Sequence, residues 1–209
     1  MAAQTEKQFS AVVLAGGRSS RMGQLKALLP FGGPPLVARV ATRLSGAFAE
    51  IIVVAGAGQA SLLQPLVASA RVVEDANPFP GPLAALKLGL DQAGNDAVFA
   101  CSCDLPFVSP ELARRLCALL DPYDAVVPVV GGRPEPLHAA YAPRVVGALI
   151  GRIVAKGETR MSAIAANCSA RHVAEAELRA LDPELLSFFN VNTPEDYQAA
   201  LRLLARQRN

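Results

Sequence analysis

Apolar runs of strand length alternate along the chain with stretches whose apolar residues recur every three or four positions. The runs fall at 9–15, 51–55, 71–74, 97–103, 125–130 and 137–141, and the helical patterns at 36–45, 60–68, 83–93 and 110–120. In "SPELARRLCALL", Ser109 suits the N-cap and Pro110 the first turn, while Leu112, Leu116 and Leu119 or Leu120 form one apolar stripe. In "TPED", Thr193 and Asp196 stand at capping-box spacing around Pro194, which predicts a last helix running to about Arg206. Strands that read as continuous apolar runs are buried on both faces. The expected fold is therefore α/β: a three-layer αβα sandwich around a mostly parallel sheet. No repeat or linker divides residues 1–209, so one domain is expected, with residues 1–8 as a flexible N-terminus.

Composition narrows the choice of partners. The 209 residues are 52% hydrophobic, and 20 basic against 18 acidic side chains leave a formal net charge of only +2. A dedicated nucleic-acid binder would show a basic global field, and no local basic patch argues for one here. The richest apolar stretch, 137–155, is broken by Arg144 and by Gly151 with Arg152, so no membrane span is expected. "MAAQTEKQF" carries Glu6 and Lys7 ahead of a strand-length run and does not read as a secretory signal; a cytoplasmic protein is expected. Cys101, Cys103, Cys117 and Cys168 form no disulfide framework for a chain of this size, and the first two, two apart on a strand, share one face as small buried hydrophobes.

In open parallel sheets ligands bind beyond the carboxyl ends of the strands, and three segments converge there. The first is "LAGGRSSRMGQLK", Leu14 to Lys26, a loop between a strand and a helical segment. Backbone N–H groups at Gly16 and Gly17 can face an anion, and Arg21 and Lys26 add positive charge. It is neither a Walker loop, since Gln24 follows Gly23, nor a dinucleotide fingerprint, since G-x-G-x-x-G is absent. The second is the turn at Glu74 and Asp75. The third is "CSCDLPFV", where Asp104 at a strand tip can hold Mg²⁺ or turn the chain before Pro106.

Three further features complete the inventory. "IIVVAGAGQAS" places Gly56, Gly58 and Ser61 after a strand, with Glu74 and Asp75 ending the next one, and so raises an NAD(P)-dependent oxidoreductase as a rival reading. "FFNVNTPED" sets Asn190 and Asn192 on one side of an extended segment, where amides can complete a metal or ligand shell or simply form turns. "GRPEPLHAAY" puts Arg133, Glu135 and His138 near one edge of the sheet, the histidine in a structural role.

The first loop resembles the nucleotidyltransferase signature of a Leu-Ala-Gly-Gly turn, an Arg-Met pair and a later Lys. With "GPLAALKLGL", "CDLP", "RPEPLHAAY" and "FNVNTPED" in the same order, nearly the whole chain resembles the molybdenum cofactor guanylyltransferases. The resemblance implies a Rossmann-like nucleotidyltransferase fold and transfer of GMP from GTP to the terminal phosphate of molybdopterin. It implies that Leu14, Ala15, Gly16 and Gly17 contact the nucleotide through the backbone, Arg21 and Lys26 its phosphates, and Asp75 the nucleoside. Asp104 would hold Mg²⁺, with Asn190 and Asn192 near the metal or the pterin. Transient contacts with other cofactor-biosynthesis proteins are implied as well. The Leu-Ala-Gly-Gly turn and the corner at Gly81 and Pro82 favour guanine over the cytidylyl relatives, which usually carry Leu-Ala-Ala-Gly. One departure stands out: the family's Asn in the loop after the second strand is missing, and Gly56 or Gly58 stands there.

Overall fold

Why the first run makes a central strand is visible in its burial. In β1 (Ser10–Leu14) every residue is buried, and its side chains divide strictly by parity. Ala11 and Val13 enter one apolar cluster and Val12 and Leu14 another, on the opposite face of the sheet. The computed structural model describes residues 8–16, 25–76 and 81–207. The expected flexible N-terminus lies outside the described residues except for Gln8, and Gly17 and Arg21 lie outside them too.

The remaining strands are β2 (Glu50–Ala55), β3 (Arg71–Glu74), β4 (Val98–Ser102), β5 (Ala125–Val130), β6 (Arg133–Pro134), β7 (His138–Tyr141) and β8 (Ala170–Val173). Their order is β3-β2-β1-β4-β7-β5-β6, with β8 also paired to β5. β3, β2, β1 and β4 run parallel, whereas β7 enters antiparallel between β4 and β5, pairing Cys101 with His138 and Val98 with Tyr141. The helices are α1 (Leu36–Ser45), α2 (Ala60–Leu63), α3 (Gly81–Gln92), α4 (Pro110–Ala118), α5 (Pro143–Ala155), α6 (Ser162–Ala165), α7 (Glu175–Arg179) and α8 (Pro194–Arg206). α1 and α4 cover one face of the sheet and α3 and α5 the other, which makes the three layers. A third cluster joins Phe31, Leu36, Phe107 and Val191 to Ala200 and Leu204 of α8, fastening the last helix to the end of the sheet.

Several expectations need correcting. α2 stops at Leu63, and a 3-10 turn, Gln64–Leu66, containing Pro65 replaces the rest of the expected helix. Proline lacks the N–H that a longer α-helix would have used there. The basic loop after β1 is not followed directly by an α-helix: the described chain resumes with a 3-10 turn, Lys26–Leu28, and α1 begins at Leu36. A helix dipole at that loop is therefore not part of the phosphate argument. α5, β6 and β8 have no counterpart among the elements expected from the sequence. The segment holding Glu135 and His138 is not at a sheet edge, because β7 lies between β4 and β5; only Arg133, on β6, is peripheral and exposed. No helix among the described residues is long and apolar enough to cross a membrane.

Candidate active site

Parallel pairing brings the carboxyl ends of β1 to β4 to one rim. The chain leaving β1 is held there by two ladder bonds, from the Ala15 N–H to the Val54 carbonyl (2.9 Å) and from the Cys103 N–H to the Leu14 carbonyl (3.0 Å). Gly16 is required at the next position. A Cβ on it would lie 2.9 Å from the Gly56 nitrogen and 3.2 Å from the Gly56 Cα, so the loops after β1 and β2 touch backbone to backbone. Asp75 continues the same rim, buried, with its N–H on the Ala55 carbonyl (3.0 Å). Gly81 opens α3 with φ +78°, a conformation that favours glycine, and Pro82 occupies the first turn.

Three residues far apart in sequence meet at this rim. The Lys26 ammonium lies 3.2 Å from Asp104 Oδ2 and 2.6 Å from Asn192 Oδ1. Asp104 is nearly buried, and its Oδ1 has no hydrogen-bond partner among the described residues. Its own carbonyl accepts the Val191 N–H (2.9 Å), which lays the "NVN" segment alongside it. Val191 is fully buried under α8, so extended backbone turns Asn190 and Asn192 away from that cluster, and both line a cavity of about 300 Å³ beside Asp104. The capping box fixes the segment from the other side. The Asp196 carboxylate accepts from the N–H groups of Asn192 (3.0 Å) and Thr193 (2.9 Å), and Thr193 Oγ1 accepts from the Asp196 N–H (3.1 Å). Burial alone would raise the Asp196 carboxyl, yet these N–H donors hold it below its usual range.

The rival dinucleotide motif is closed by the protein itself. The Glu74 carboxylate accepts from the N–H groups of Gly58 (2.9 Å) and Ala60 (3.0 Å), the donors a pyrophosphate would need, and Gly56 N–H bonds the Gln59 side chain (3.2 Å). Those backbone donors, Gly58 first, lower the Glu74 carboxyl, so at neutral pH the anion at this loop is Glu74. The helix behind it, α2, has only four residues.

The cavity beside Asp104 is also lined by residues for which no binding role was expected. Glu135, His138, Met161 and Phe188 line it together with Asp104 and Asn190. His138 is buried against Phe188 (ring centroids 4.3 Å apart) and Phe99 (5.0 Å), and its Nε2 lies 3.2 Å from Ser187 Oγ. Burial lowers its pKa to about 3, so the ring is neutral. Desolvation raises the Glu135 carboxyl, with Arg133 opposing it. Cys101 and Cys103 are buried on one face as expected, their thiols pushed up by desolvation and unreactive. Met161, Ser187 and Phe188 carry no motif that would have identified them. Among the described residues no cluster of three His, Cys, Asp or Glu side chains could hold a metal alone.

Fold and rim are those of an α/β nucleotidyltransferase, with glycine backbone, Lys26 and Asp104 at the strand tips. Residues 11–174 match the MobA-like NTP transferase domain, and the chain belongs to that family. It is 38% identical over 189 residues, 90% of each chain, to a probable molybdenum cofactor guanylyltransferase of Pelotomaculum thermopropionicum. A protein of the same description from Methanothermobacter thermautotrophicus is 34% identical over 90% of this chain and 96% of its own. The crystal structure of molybdopterin-guanine dinucleotide biosynthesis protein A from Archaeoglobus fulgidus superposes with a TM-score of 0.82 at 26% identity, covering 94% of this chain and 99% of that one.

Proposed function

We infer that this chain is a molybdenum cofactor guanylyltransferase, joining GMP from GTP to the terminal phosphate of molybdopterin with release of pyrophosphate. The observation that carries the site assignment is the meeting of Lys26, Asp104 and Asn192, from three distant motifs, at the rim where Gly16 also lies. In this reading an oxygen of the acceptor phosphate attacks the α-phosphorus of GTP, a new P–O bond forms, and the α–β anhydride bond breaks. A phosphate monoester with a second pKa near ~6 is already mostly dianionic at neutral pH, so no general base is required. The demand on the protein is to bring two anions into line and to offset the charge on the departing pyrophosphate. Lys26 supplies that charge directly, Arg21 and Gly17 would join it from the loop, and Leu14, Ala15 and Gly16 offer backbone to the nucleotide. Asp75 takes the nucleoside, with Gly81 and Pro82 shaping its corner.

The residues fit Mg²⁺. Asp104 keeps one buried oxygen without a partner among the described residues, and Mg²⁺ is commonly held by one or two carboxylates together with substrate phosphates. Bound at Asp104, the ion would withdraw charge from the triphosphate; Asn190 and Asn192 would stand beside it. Base choice is tested by kcat/KM for GTP, CTP and ATP with molybdopterin as acceptor, read as pyrophosphate release. GTP should exceed CTP by at least about tenfold, since each mispaired buried group costs ~1–3 kcal/mol, and by less than an Asn-bearing loop would give. A CTP preference would assign the cytidylyl branch. A nicotinamide cofactor should leave Tm unchanged, since Glu74 already fills its motif.

A further inference from the structure

The cavity beside Asp104 carries a hydrogen-bonding pattern that phosphate chemistry does not use. His138 is only 1% exposed, and its Nδ1 is one of two buried side-chain atoms without a partner among the described residues. The contact between Ser187 Oγ and His138 Nε2, 3.2 Å long, fits either tautomer, because Oγ accepts the Ser109 N–H at 2.8 Å and keeps a second lone pair. Donation from the hydroxyl to Nε2 is the arrangement that leaves fewer polar groups unpaired among the described residues. A ring that accepts at Nε2 carries its proton on Nδ1. His138 is then a neutral donor whose Nδ1–H has no acceptor among the described residues. Three residues earlier, Glu135 lines the same cavity as an acceptor in a partly desolvated setting, and Met161 and Phe188 supply apolar walls.

We propose that this cavity reads the amino-pyrimidinone edge of the acceptor's heterocycle, with Glu135 accepting from its ring N–H and exocyclic amine and His138 Nδ1–H donating to its carbonyl. The inference rests on the reading of the acceptor as a pterin. Guanine carries the same edge, but the loops assigned to the nucleotide follow β1 and β3, whereas the cavity lies on the β4 and β7 side of Asp104. Phe188 lies against the His138 ring and is available to cover a flat ligand. Ser187 is a positioning residue, acting through the tautomer it favours.

The test uses the full chain and the variants Glu135→Gln, His138→Phe and Ser187→Ala. Three quantities are measured: KM for molybdopterin in pyrophosphate release, Kd for GTP with Mg²⁺, and Kd for molybdopterin by direct titration. Glu135→Gln and His138→Phe should each raise the molybdopterin KM and Kd about tenfold and leave the GTP Kd within about twofold, because each leaves a buried ligand group unpaired. Ser187→Ala should raise them less. Two-bond ¹H–¹⁵N spectra should show His138 protonated at Nδ1 in the wild type and mixed tautomers in Ser187→Ala, a signature that a packing role would not move. Unchanged molybdopterin constants, a rise in GTP Kd in their place, or a wild-type proton on Nε2 would each overturn the proposal. Absence of pyrophosphate release by the wild type would instead refute the function, and the direct titration would still judge the cavity.

Discussion

Replacing Lys26 by Met tests whether the lysine is there for chemistry or for the fold. Its ammonium stands 3.2 Å from Asp104 Oδ2, with the two side chains 21% and 12% exposed. At an effective dielectric constant of ~20, opposite charges at that distance attract by about 5 kcal/mol, most of which is offset by the cost of desolvating them. Removing one member of a buried pair typically costs ~3–5 kcal/mol, because the other is left as an uncompensated charge. This pair keeps some solvent, so Lys26→Met should lower unfolding free energy by about 2 kcal/mol in urea titrations without nucleotide or metal. Among the described residues no other side chain donates to Asp104.

A double-mutant cycle separates the two roles. Asp104→Asn alone should cost about 1 kcal/mol, and combined with Lys26→Met it should cost less than the sum by about 1–2 kcal/mol, since the orphaned charge is gone. Activity should behave differently. Each single variant should lose at least about a hundredfold in kcat/KM, Lys26→Arg should retain more, and the double variant should not recover. Strictly additive stabilities would refute the ion pair, and near-normal turnover of either single variant with Mg²⁺ and GTP saturating would refute its place at the phosphates.

Gly89→Ala in α3 should destabilise by ~1–2 kcal/mol despite the better helix propensity of Ala: the new Cβ would collide with Val12 Cγ1 and lie 3.0 Å from Val12 Cγ2 and 3.2 Å from Val54 Cγ2, as urea unfolding would register. Gly16→Ala should raise the Kd for GTP more than it lowers Tm, because its Cβ would press the β1 loop away from Gly56; equal GTP affinity would remove Gly16 from the nucleotide site. His138 binds its proton less readily folded, at about 3, than unfolded, near ~6.5, so its contribution is complete above pH ~6.5 and is lost as pH falls toward 3, by up to about 1.4 kcal/mol per unit. His138→Phe should therefore lose less stability than wild type between pH 6.5 and 4, the carboxylates being common to both, and identical pH slopes would contradict a buried neutral ring.

What could be read from the sequence depended on how strongly each segment was buried. β2 and β5 are continuous apolar runs, and their observed limits differ from the expected ones by at most one residue. α5 escaped because residues 137–155 are apolar almost throughout, so a strand and a helix fuse into one signal in which only Pro143 marks the boundary. β6 and β8 are short and partly exposed and have no periodicity to detect. At the site, Lys26, Asp104 and the two asparagines were legible through motifs, whereas the link between them was not, since it depends on the Val191 N–H reaching the Asp104 carbonyl. The position of Glu135 and His138 was misjudged for a similar reason. Nothing local in "GRPEPLHAAY" says that its strand inserts beside β4.

That insertion explains how the site is divided. The chain builds outward from β1 through β2 to β3, then returns to place β4 on the other side of β1, so a crevice opens between β1 and β4 at their carboxyl ends. Lys26, carried by the loop from β1, and Asp104, following β4, meet across it. Because β7 runs antiparallel to β4, it must begin where β4 ends, and pairing of His138 with Cys101 delivers the Glu135 to His138 segment to the same rim. In the proposed reading one flank, where Gly16 follows β1 and Asp75 and Gly81 follow β3, takes the triphosphate and its nucleoside. The opposite flank, formed by β7 and the segment before α8, is built from side chains and suited to an acceptor that must be told apart by its edges. Under the proposed function, substrates entering from the two flanks would meet with their phosphates toward Lys26 and Asp104, the arrangement that an in-line transfer between two anions requires.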